Sequence, residues 1–510
     1  MSALSALLLL SLGVILAWML FFGRMSSDSF RQRNEPPLDR GLVPWLGHAL
    51  EFGGDASKFL SKMKKKYGDI FTVQVAGRFI TVLLDPHSYD HVVWESHAKL
   101  DFEKYANILM ERMFDLQLPN YDMKAEKSTL KMHLQKQNLP SLTRSMFHNL
   151  NTIIGHKALA AAEWKEEGLF DFAYSVMLRA GYLTLFGSES SRYTNSHGNL
   201  KDVQHSEEVY KEFRKLDRLL MKAARNMLSA EEKQKAASIK KRLWQLLDSE
   251  SLKRKPNKSS WMESYQRHLE ENQVTPEMQS RAMVLQLWAT QGNAGPAAFW
   301  LLVFLLKHPE ALFAVKRELE EVFQNIGTTM EHLEDIDQET LDNTAIFDSV
   351  FNECLRLTAA PFITREVLVD MSLKLADGRE YRLRRGDRLC LFPYVSPQMD
   401  PEIHQQPEKF KYDRFLNPDG TRKQDFYKSG KQLRHSTMPW GAGSNICIGK
   451  SHAVNSIKQF VFFLFHHFDF ELRNSSDEIP RFDKSRYGFG VMQPENDIIF
   501  RYRRKFLIHE

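Results

Sequence analysis

Cysteine is scarce in this chain, which has only Cys354, Cys390 and Cys447 among its 510 residues. Three cysteines cannot build a disulfide framework, so the small disulfide-stabilised secreted domains are excluded and a reducing compartment is favoured. Net charge is also small, because 69 lysines and arginines face 64 aspartates and glutamates, which gives +5. Basic residues form no dense run beyond the short segment 251–258, so we expect no nucleic-acid partner.

Charge is missing altogether from residues 2–22, an apolar run long enough to cross a bilayer as a helix, which takes about 20 residues. A cleaved signal peptide is the alternative, but it would carry a basic segment before a shorter apolar stretch. Basic residues instead follow the run, at Arg24, Arg31 and Arg33, which predicts that the chain after them is cytosolic. We therefore expect residues 1–23 to be a single-pass transmembrane signal anchor in a lipid bilayer.

After the anchor, the sequence predicts a basic, proline-rich connector over 24–45 and one catalytic domain over 46–510. The composition, 43% hydrophobic and 12% aromatic, is typical of a globular domain with a large core. Alternating apolar and polar residues over 69–86, with Gly77 at a turn, predict a β-hairpin.

The rest of the domain is predicted to be mainly α-helical with a minor sheet component. Residues 120–350 have mostly helical periodicity, whereas 365–394 contain short runs typical of strands. Polar stretches at 188–206 and 249–260 predict surface loops.

The longest predicted helix covers 275–307, with Thr275 as its N-cap and Pro276 in its first turn. Its middle, LWATQGNAGPAAFW, contains residues that weaken or kink helices, among them Asn293 and Pro296. A polar notch in a kinked apolar helix indicates a ligand lying against it. The alternative is a strained helix without a functional role.

Cys447 lies in a glycine-rich loop, TMPWGAGSNICIGK, that leads into an apolar helix. Gly441, Gly443 and Gly449 allow the backbone to approach a flat or bulky group. The N-terminus of the helix and the free backbone N–H groups would favour a thiolate that binds a metal, and haem iron is one such metal. Zinc would need more Cys or His at short spacing. The other two cysteines lie in apolar runs and are predicted core residues.

This loop resembles the haem-binding loop of the cytochrome P-450 superfamily, F-x-x-G-x-(R/H)-x-C-x-G, with Trp440 at the Phe position and Gly443, Cys447 and Gly449 as matches. Asn445 departs from the pattern, since Arg or His is usual there. The resemblance implies a cytochrome P-450 fold, in which a large helical domain is joined to a smaller β-rich part. It also implies haem b as cofactor, Cys447 as the axial iron ligand and a place in the endoplasmic reticulum membrane.

Two further motifs carry the same resemblance. The segment ECLR resembles the superfamily's E-x-x-R motif, and KFKYDRFLNP resembles its meander, which implies that Glu353, Arg356 and Arg414 form a structural triad. A buried carboxylate held by two guanidinium groups would stabilise the core around the loop. Glu353 and Arg356 alone would otherwise be interpreted as a common surface pair on a helix.

The branch of the superfamily is indicated by the kinked helix. Monooxygenases usually carry (A/G)-G-x-(D/E)-T there, as an acid and an alcohol that deliver protons to bound dioxygen. This chain has Asn293 and Ala294 instead, and neither side chain can act as such a relay. Segments such as LQLWATQGNAGPAAFW and RYGFGVMQPENDI resemble the branch that isomerises the endoperoxide prostaglandin H2, whereas the related sterol hydroxylases have Thr at position 294.

That resemblance implies an isomerase that converts the 9,11-endoperoxide to prostacyclin by homolysis of the O–O bond at a ferric haem-thiolate, without dioxygen or a reductase. It also implies functional coupling to a cyclooxygenase, and fatty-acid hydroperoxides are a further candidate substrate. A sterol or fatty-acid monooxygenase is the first alternative function. A haem-containing sensor without turnover is the second.

Roles for individual residues follow from the same resemblance. Asn293 would be catalytic beside Cys447, as a hydrogen-bond partner of a peroxide oxygen. The residues implied to bind haem are Lys127, Arg365, Asn445, Trp440, Gly443 and Gly449. Those implied to line the substrate pocket are Tyr105, Trp288, Asn293, Thr364, Phe489, Val491 and Met492. Plain core packing is the alternative for the aromatic residues, and a solvated surface lysine is the alternative for Lys127.

Overall fold

The computed structural model describes residues 34–118, 122–134, 137–159, 161–189, 196–325 and 338–505, together with Ser11, Gly13 and Val14. Apart from those three residues, the predicted anchor and the beginning of the predicted connector lie outside the described residues. In the described part of the chain, no single helix has the length and apolarity to cross a membrane. One pair bent by 109°, Pro276–Lys307 with Pro309–Gln324, meets both criteria when the two are taken together.

Helices form the larger share of the regular structure, as predicted. In chain order they are α1 (Ala49–Gly54), α2 (Ala56–Tyr67), α3 (Asp90–Val93), α4 (Glu103–Phe114), α5 (Met123–His133), α6 (Leu139–Leu159), α7 (Leu169–Phe186), α8 (Ser196–Ala224), α9 (Ala230–Leu246), α10 (Ser249–Arg254), α11 (Ser260–Glu271), α12 (Pro276–Gln291), α13 (Ala294–Lys307), α14 (Pro309–Asn325), α15 (Gln338–Asp342), α16 (Ala345–Thr358) and α17 (Lys450–His467).

The strands are short and form the minor component. They are β1 (Leu38–Asp39), β2 (Ile70–Val75), β3 (Arg78–Leu83), β4 (Leu100–Asp101), β5 (Lys165–Gly168), β6 (Ile363–Val367), β7 (Met371–Lys374), β8 (Glu380–Leu383), β9 (Arg388–Leu391), β10 (Tyr427–Lys428), β11 (Lys431–Gln432), β12 (Phe468–Leu472) and β13 (Ile499–Arg504). The largest sheet has the order β1-β2-β3-β9-β6-β4, and a second sheet has the order β12-β13-β5. The pairs β7–β8 and β10–β11 are separate.

The predicted hairpin over 69–86 is confirmed as the antiparallel pair β2–β3, with Ile70 opposite Leu83. Its two-residue turn, Ala76 and Gly77, has positive φ at both positions, as turns that match the twist of a hairpin require. Strand β1 runs parallel to β2. The part of the predicted connector that contains β1 therefore belongs to the main sheet.

The core of the helical part is formed around α7 and α13. Every residue of α7 except Asp171 is buried, and so is every residue of α13 from Gly295 to Leu305. A helix that is apolar on all faces is stable only when other elements surround it completely. These two helices pack on each other, and α13 positions the kinked region that the sequence singles out.

The predicted long helix is present, and it is broken where the sequence indicates. Thr275 caps α12 by accepting a hydrogen bond from the backbone N–H of Met278, and Pro276 is in the first turn. The helix ends at Gln291, and α13 begins at Ala294 with Asn293 as its N-cap, so two residues separate the helices.

The two predicted surface loops are wrong in part. The segment 196–206 belongs to α8, and residues 249–254 form α10, whose N-cap Asp248 accepts from the backbone N–H of Ser251. Polar residues do not exclude a helix when water covers one face and a cap satisfies its first N–H groups. Residues 190–195 of the first predicted loop lie outside the described residues.

Candidate active site

The glycine-rich loop holds Cys447 just before the first turn of α17. The backbone N–H of Cys447 donates to the carbonyl of Trp440 at 2.9 Å, which closes the loop on itself. Gly443 has a φ of +63°, and a Cβ there would lie 2.3 Å from the carbonyl oxygen of Val93 on α3. A side chain at this position would push the loop away from α3, so the geometry requires glycine.

Cys447 is exposed to solvent, although protein surrounds its thiol on most sides. Burial raises the pKa of the Cys447 thiol, against the opposing effects of the Gly449 backbone N–H and the charges of Lys127 and Lys450. The positive surroundings predicted for the thiolate are present, but alone they do not offset the burial. A metal cation on the sulfur would supply the missing positive charge.

The predicted triad is assembled in the structure. Arg356 donates from Nε and Nη2 to the two carboxylate oxygens of Glu353, at 2.6 and 2.8 Å, and Arg414 donates from Nε at 2.8 Å. Glu353 and Arg356 are fully buried. The backbone N–H of Lys411 and the carbonyl of Gln398 complete the network. The meander is thereby fixed to α16, which excludes the surface-pair interpretation.

Lys127, Arg365 and Asn445 provide donors, and within the described ranges neither Lys127 nor Arg365 forms an ion pair with a carboxylate. Lys127 Nζ donates to the carbonyl of Ser444 and lies 3.5 Å from the Asn445 side-chain oxygen, so it is not a freely solvated lysine. Among the described residues, Arg365 Nη2 and Asn445 Nδ2 are buried without an acceptor. Burial lowers the pKa of Lys127, aided by the charge of Arg365, and burial also lowers the pKa of Arg365.

Buried donors that lack an acceptor indicate a ligand that supplies one. Haem carries two carboxylates, and its iron takes a thiolate ligand, so the donor set and the Cys447 loop both fit it. Asn445 therefore replaces the usual charged residue with an amide that can still donate a hydrogen bond.

The break between α12 and α13 is stabilised by contacts from two directions. The backbone N–H of Val491 donates to Asn293 Oδ1 at 2.9 Å, and the Tyr174 hydroxyl donates to the carbonyl of Gly292 at 3.2 Å. Gly490 has a φ of +98°, and a Cβ there would lie 2.4 Å from Asn293 Oδ1. Glycine at 490 thus allows the C-terminal loop to approach the break closely.

A small cavity lies at this break. Its lining residues are Met221, Trp288, Gly292, Asn293, Arg486, Phe489 and Val491. Four of the residues predicted to line the substrate pocket are among them, namely Trp288, Asn293, Phe489 and Val491. The polar notch therefore faces a small cavity.

The other predicted pocket residues lie elsewhere. Met492 is fully buried among core residues, and its backbone carbonyl accepts from Trp300 Nε1 at 2.7 Å. Thr364 lies opposite Cys390 on neighbouring strands β6 and β9. Tyr105 on α4 lies under the guanidinium of Arg388, which is 4.5 Å from the centre of its ring.

Sequence analysis did not identify the network behind the cavity wall. Asp217 on α8 is buried and accepts from Arg486 Nη1 and Nη2, from Gln493 Nε2 and from Arg214 Nη1. Burial would raise the pKa of Asp217, but the charges of Arg486 and Arg214 hold it below its ordinary value. The available sequence signal was weak, because Arg214 and Asp217 look like an ordinary helical pair and Arg486 is far away in the chain.

The sequence of this chain is similar to those of known proteins. Residues 36–500 match the model of the cytochrome P450 family. The prostacyclin synthase of Homo sapiens is 57% identical over 474 residues, which is 93% of this chain and 95% of the human protein. The prostacyclin synthase of Bos taurus is 55% identical over 498 residues, which is 96% of this chain and 99% of the bovine protein.

A sterol-oxidising relative is more distant. The 5-beta-cholestane-3-alpha,7-alpha-diol 12-alpha-hydroxylase of Sus scrofa is 41% identical over 476 residues, which is 93% of this chain and 94% of the pig protein. These similarities confirm the resemblance that the sequence motifs predicted, at the level of both the superfamily and the branch.

Proposed function

The chain belongs to the cytochrome P450 family, whose cofactor is haem, and we propose that it isomerises the 9,11-endoperoxide of prostaglandin H2 to prostacyclin (prostaglandin I2). The observation that carries the proposal is the pair Asn293–Ala294 at the helix break, where Asn293 lines the cavity and the pair offers neither a titrating acid nor a hydroxyl. An isomerase needs no proton delivery to dioxygen, whereas a monooxygenase does.

Cys447 would hold the haem iron, and Lys127, Arg365 and Asn445 would hold the haem carboxylates. When bound, a ferric haem-thiolate supplies homolytic cleavage of the peroxide O–O bond. Neither dioxygen nor a reductase is consumed, because the product has the same atoms and the same overall oxidation level as the substrate. Fatty-acid hydroperoxides would meet the same site as alternative substrates.

Asn293 would orient the endoperoxide. Its Oδ1 accepts from the backbone N–H of Val491, so Nδ2 is the part of the amide that remains for a ligand. An amide nitrogen can only donate, and the peroxide oxygens can only accept. A hydrogen bond from Nδ2 to one peroxide oxygen would leave the other to face the iron, and this would determine which oxygen forms the new carbon–oxygen bond of the product after the O–O bond breaks.

Anaerobic turnover tests this function. Purified, haem-loaded protein is mixed with prostaglandin H2 without NADPH or reductase, and the stable hydrolysis product of prostacyclin is measured by mass spectrometry. We expect the product from the wild type and from Ala294→Thr, and its loss together with the haem-thiolate spectrum in Cys447→Ala.

Absence of the product anaerobically, with sterol or fatty-acid oxidation restored by reductase and oxygen, would assign the chain to the monooxygenases instead. No turnover under either condition, with an intact haem spectrum, would favour the sensor alternative. Hydroxylated sterol from Ala294→Thr would show that a hydroxyl at position 294 is sufficient for oxygenase chemistry without an acid at position 293, which would contradict the role given to the pair.

The location is part of the same proposal. Residues 1–23 would anchor the chain in the endoplasmic reticulum membrane, with 46–510 as a cytosolic catalytic domain near a cyclooxygenase that supplies the labile endoperoxide. Extraction of microsomes at alkaline pH tests the anchor, because the full chain should stay in the pellet while a chain lacking residues 1–23 is released. Equal release of both would contradict it.

A further inference from the structure

Arg388 is a half-buried cation without a carboxylate partner in the described part of the chain. Its guanidinium lies over the Tyr105 ring at 4.5 Å from the ring centre, and its buried Nε has no acceptor there. A cation on an aromatic face is stabilised on one side only, and its N–H groups still need acceptors. The Nε–H group of Arg388 is therefore available as a donor to an anion.

Two more arginines lie on segments next to Tyr105, because the backbone acceptor of Arg112 is the residue directly before Arg225. Arg112, on α4 with Tyr105, donates to the backbone carbonyl of Ala224 at 3.1 Å, and Arg225 donates to the backbone carbonyl of Ser485 at 2.6 Å. Neither forms an ion pair among the described residues. The charges of Arg388, Arg112 and Arg225 all oppose the burial that raises the pKa of Tyr105.

The nearest carboxylates are already engaged by other cations. Glu366, which lies opposite Arg388 on β6, pairs with Lys104 at 2.8 Å. Asp483, which faces Arg225, lies 3.6 Å from Arg486 and accepts from the backbone N–H of Ser485. Within the described ranges, therefore, Arg388, Arg112 and Arg225 form no ion pair with a carboxylate.

Two of these arginines, Arg225 and Arg112, are close in sequence to residues that line the cavity described above or pack against its wall. Arg225 follows the last residue of α8, one turn beyond the lining residue Met221, and its acceptor Ser485 precedes the lining residue Arg486. The C-terminal end of α4 lies against the wall of the cavity, because its last residue, Phe114, packs against the lining residue Trp288 with ring centres 5.7 Å apart. Met221 and Phe114 thus connect the cavity to Arg225 and Arg112, and Arg112 shares α4 with the Tyr105 ring that lies under Arg388.

We propose that Arg388, Arg112 and Arg225 bind the carboxylate of a long-chain fatty acid whose reacting part lies at Asn293. The inference rests on the proposed function, which supplies a C20 acid as ligand. Guanidinium groups bind carboxylates through two parallel N–H···O bonds, and Arg388 presents its unpaired Nε for one of them. The site makes the free acid, rather than an ester, the preferred form of the substrate.

Binding of an acid and its methyl ester tests the site without turnover. The probe is a stable carbon-bridged analogue of the endoperoxide, titrated into haem-loaded protein while the Soret band is followed. We expect the acid to bind the wild type roughly 10-fold or more tightly than the ester, as for hydrogen bonds to a charged group. In Arg388→Gln the acid should lose that advantage while the affinity for the ester stays the same.

Arg388→Lys and Arg385→Gln are the matched variants. Lysine keeps the charge but not the paired donors, so it should restore only part of the preference for the acid. Arg385 is an exposed residue just before β9, and its neutralisation should leave the preference unchanged. Equal affinity of acid and ester in the wild type, or an equal loss of both in Arg388→Gln, would overturn the proposal.

Failure of this site can be told apart from failure of the proposed function. Formation of prostacyclin with no acid–ester difference in binding would overturn the carboxylate site and leave the isomerase in place. A clear acid–ester difference with no prostacyclin formed would support the site and count against the isomerase.

Discussion

Glu353 and Asp217 are both buried carboxylates held by two arginines, and each has one partner three positions away on its own helix. They differ in the part of the structure that contributes the second arginine. Arg414 lies in the meander behind the cysteine loop, whereas Arg486 lies in the wall of the cavity. The first network connects parts of the scaffold, and the second connects the scaffold to the surface that a ligand would touch.

The two networks also differ in how completely they are satisfied. Every guanidinium nitrogen of Arg356 has an acceptor, including a backbone carbonyl and the sulfur of Met399. In the second network, the Nε atoms of Arg214 and Arg486 are buried without a hydrogen-bond partner among the described residues. A fully satisfied network is rigid, while one with unpaired donors can reorganise at a lower cost. The comparison shows that the same spacing of acid and base can serve either purpose.

Glu353→Gln should have the largest effect. The amide would leave two arginines short of a counter-charge at a site with no access to water, so we expect unfolding to require about 3–5 kcal/mol less free energy. The haem content of the purified protein should fall as well. Urea unfolding and the absorbance of the haem-thiolate check both results.

Glu321→Gln is the control for that variant, because Glu321 pairs with Arg317 on an exposed face of α14. Its effect on unfolding should stay below about 0.5 kcal/mol. A similar loss in both variants would remove the distinction between buried and exposed pairs.

Asp217→Asn should have a smaller effect on stability and a larger one on ligand binding. We expect a loss of about 2–3 kcal/mol, because Arg214 retains its contacts with the faces of Phe170 and Tyr174. Haem content should stay near that of the wild type, while the Kd of a stable endoperoxide analogue rises. Loss of haem in parallel with that of Glu353→Gln would show that both networks support the scaffold alone.

The unfolding free energy of the wild type should depend on pH differently from that of Asp217→Asn. The folded protein holds the pKa of Asp217 below its unfolded value, so this carboxylate stabilises the fold above the unfolded pKa. That contribution disappears as the pH falls through the lower, folded pKa. The difference in unfolding free energy between wild type and Asp217→Asn should therefore be constant above about pH 5 and shrink below about pH 4. A difference that grows on acidification would contradict this sign.

Asn293→Ala should have the smallest effect on stability and a clear one on turnover. The backbone N–H of Val491 loses its acceptor, which costs about 1 kcal/mol, and the donor proposed for the peroxide is removed. We expect kcat/KM for the endoperoxide to fall by about 10-fold or more, with an unchanged haem-thiolate spectrum. Trp288→Phe is a matched change in the same cavity, and it should keep the activity closer to that of the wild type.

Local patterns in the sequence were sufficient for much of this fold. Alternation predicted the β2–β3 hairpin, and Thr275 with Pro276 predicted the beginning of α12. Polar composition misled at 196–206 and 249–254, because a helix can expose a polar face and still be stable. The features that could be predicted from the sequence were therefore those determined by one chain segment or by a known motif.

Distant pairings in the site could not be predicted in the same way. Arg486 meets Asp217 across 269 positions, and Arg388 meets Tyr105 between a strand and a helix that are far apart in the chain. The Asn293–Val491 hydrogen bond is a further example, since both residues were predicted pocket residues but their contact was not. Spacing specifies neighbours on one element, and only the packing of elements specifies the rest.

Because of the hydrogen bond from Val491 to Asn293, the hydrogen-exchange rate of the Val491 amide should depend on what is bound in the cavity. The Val491 amide proton is shielded only as long as the Asn293 oxygen stays in place, so its exchange with deuterated solvent records how often the wall separates from the helix break. A ligand that uses Nδ2 alone would leave the bond intact and slow that exchange. A ligand that captures the whole amide would release the proton and speed the exchange, so one backbone position distinguishes the two ways of occupying this cavity.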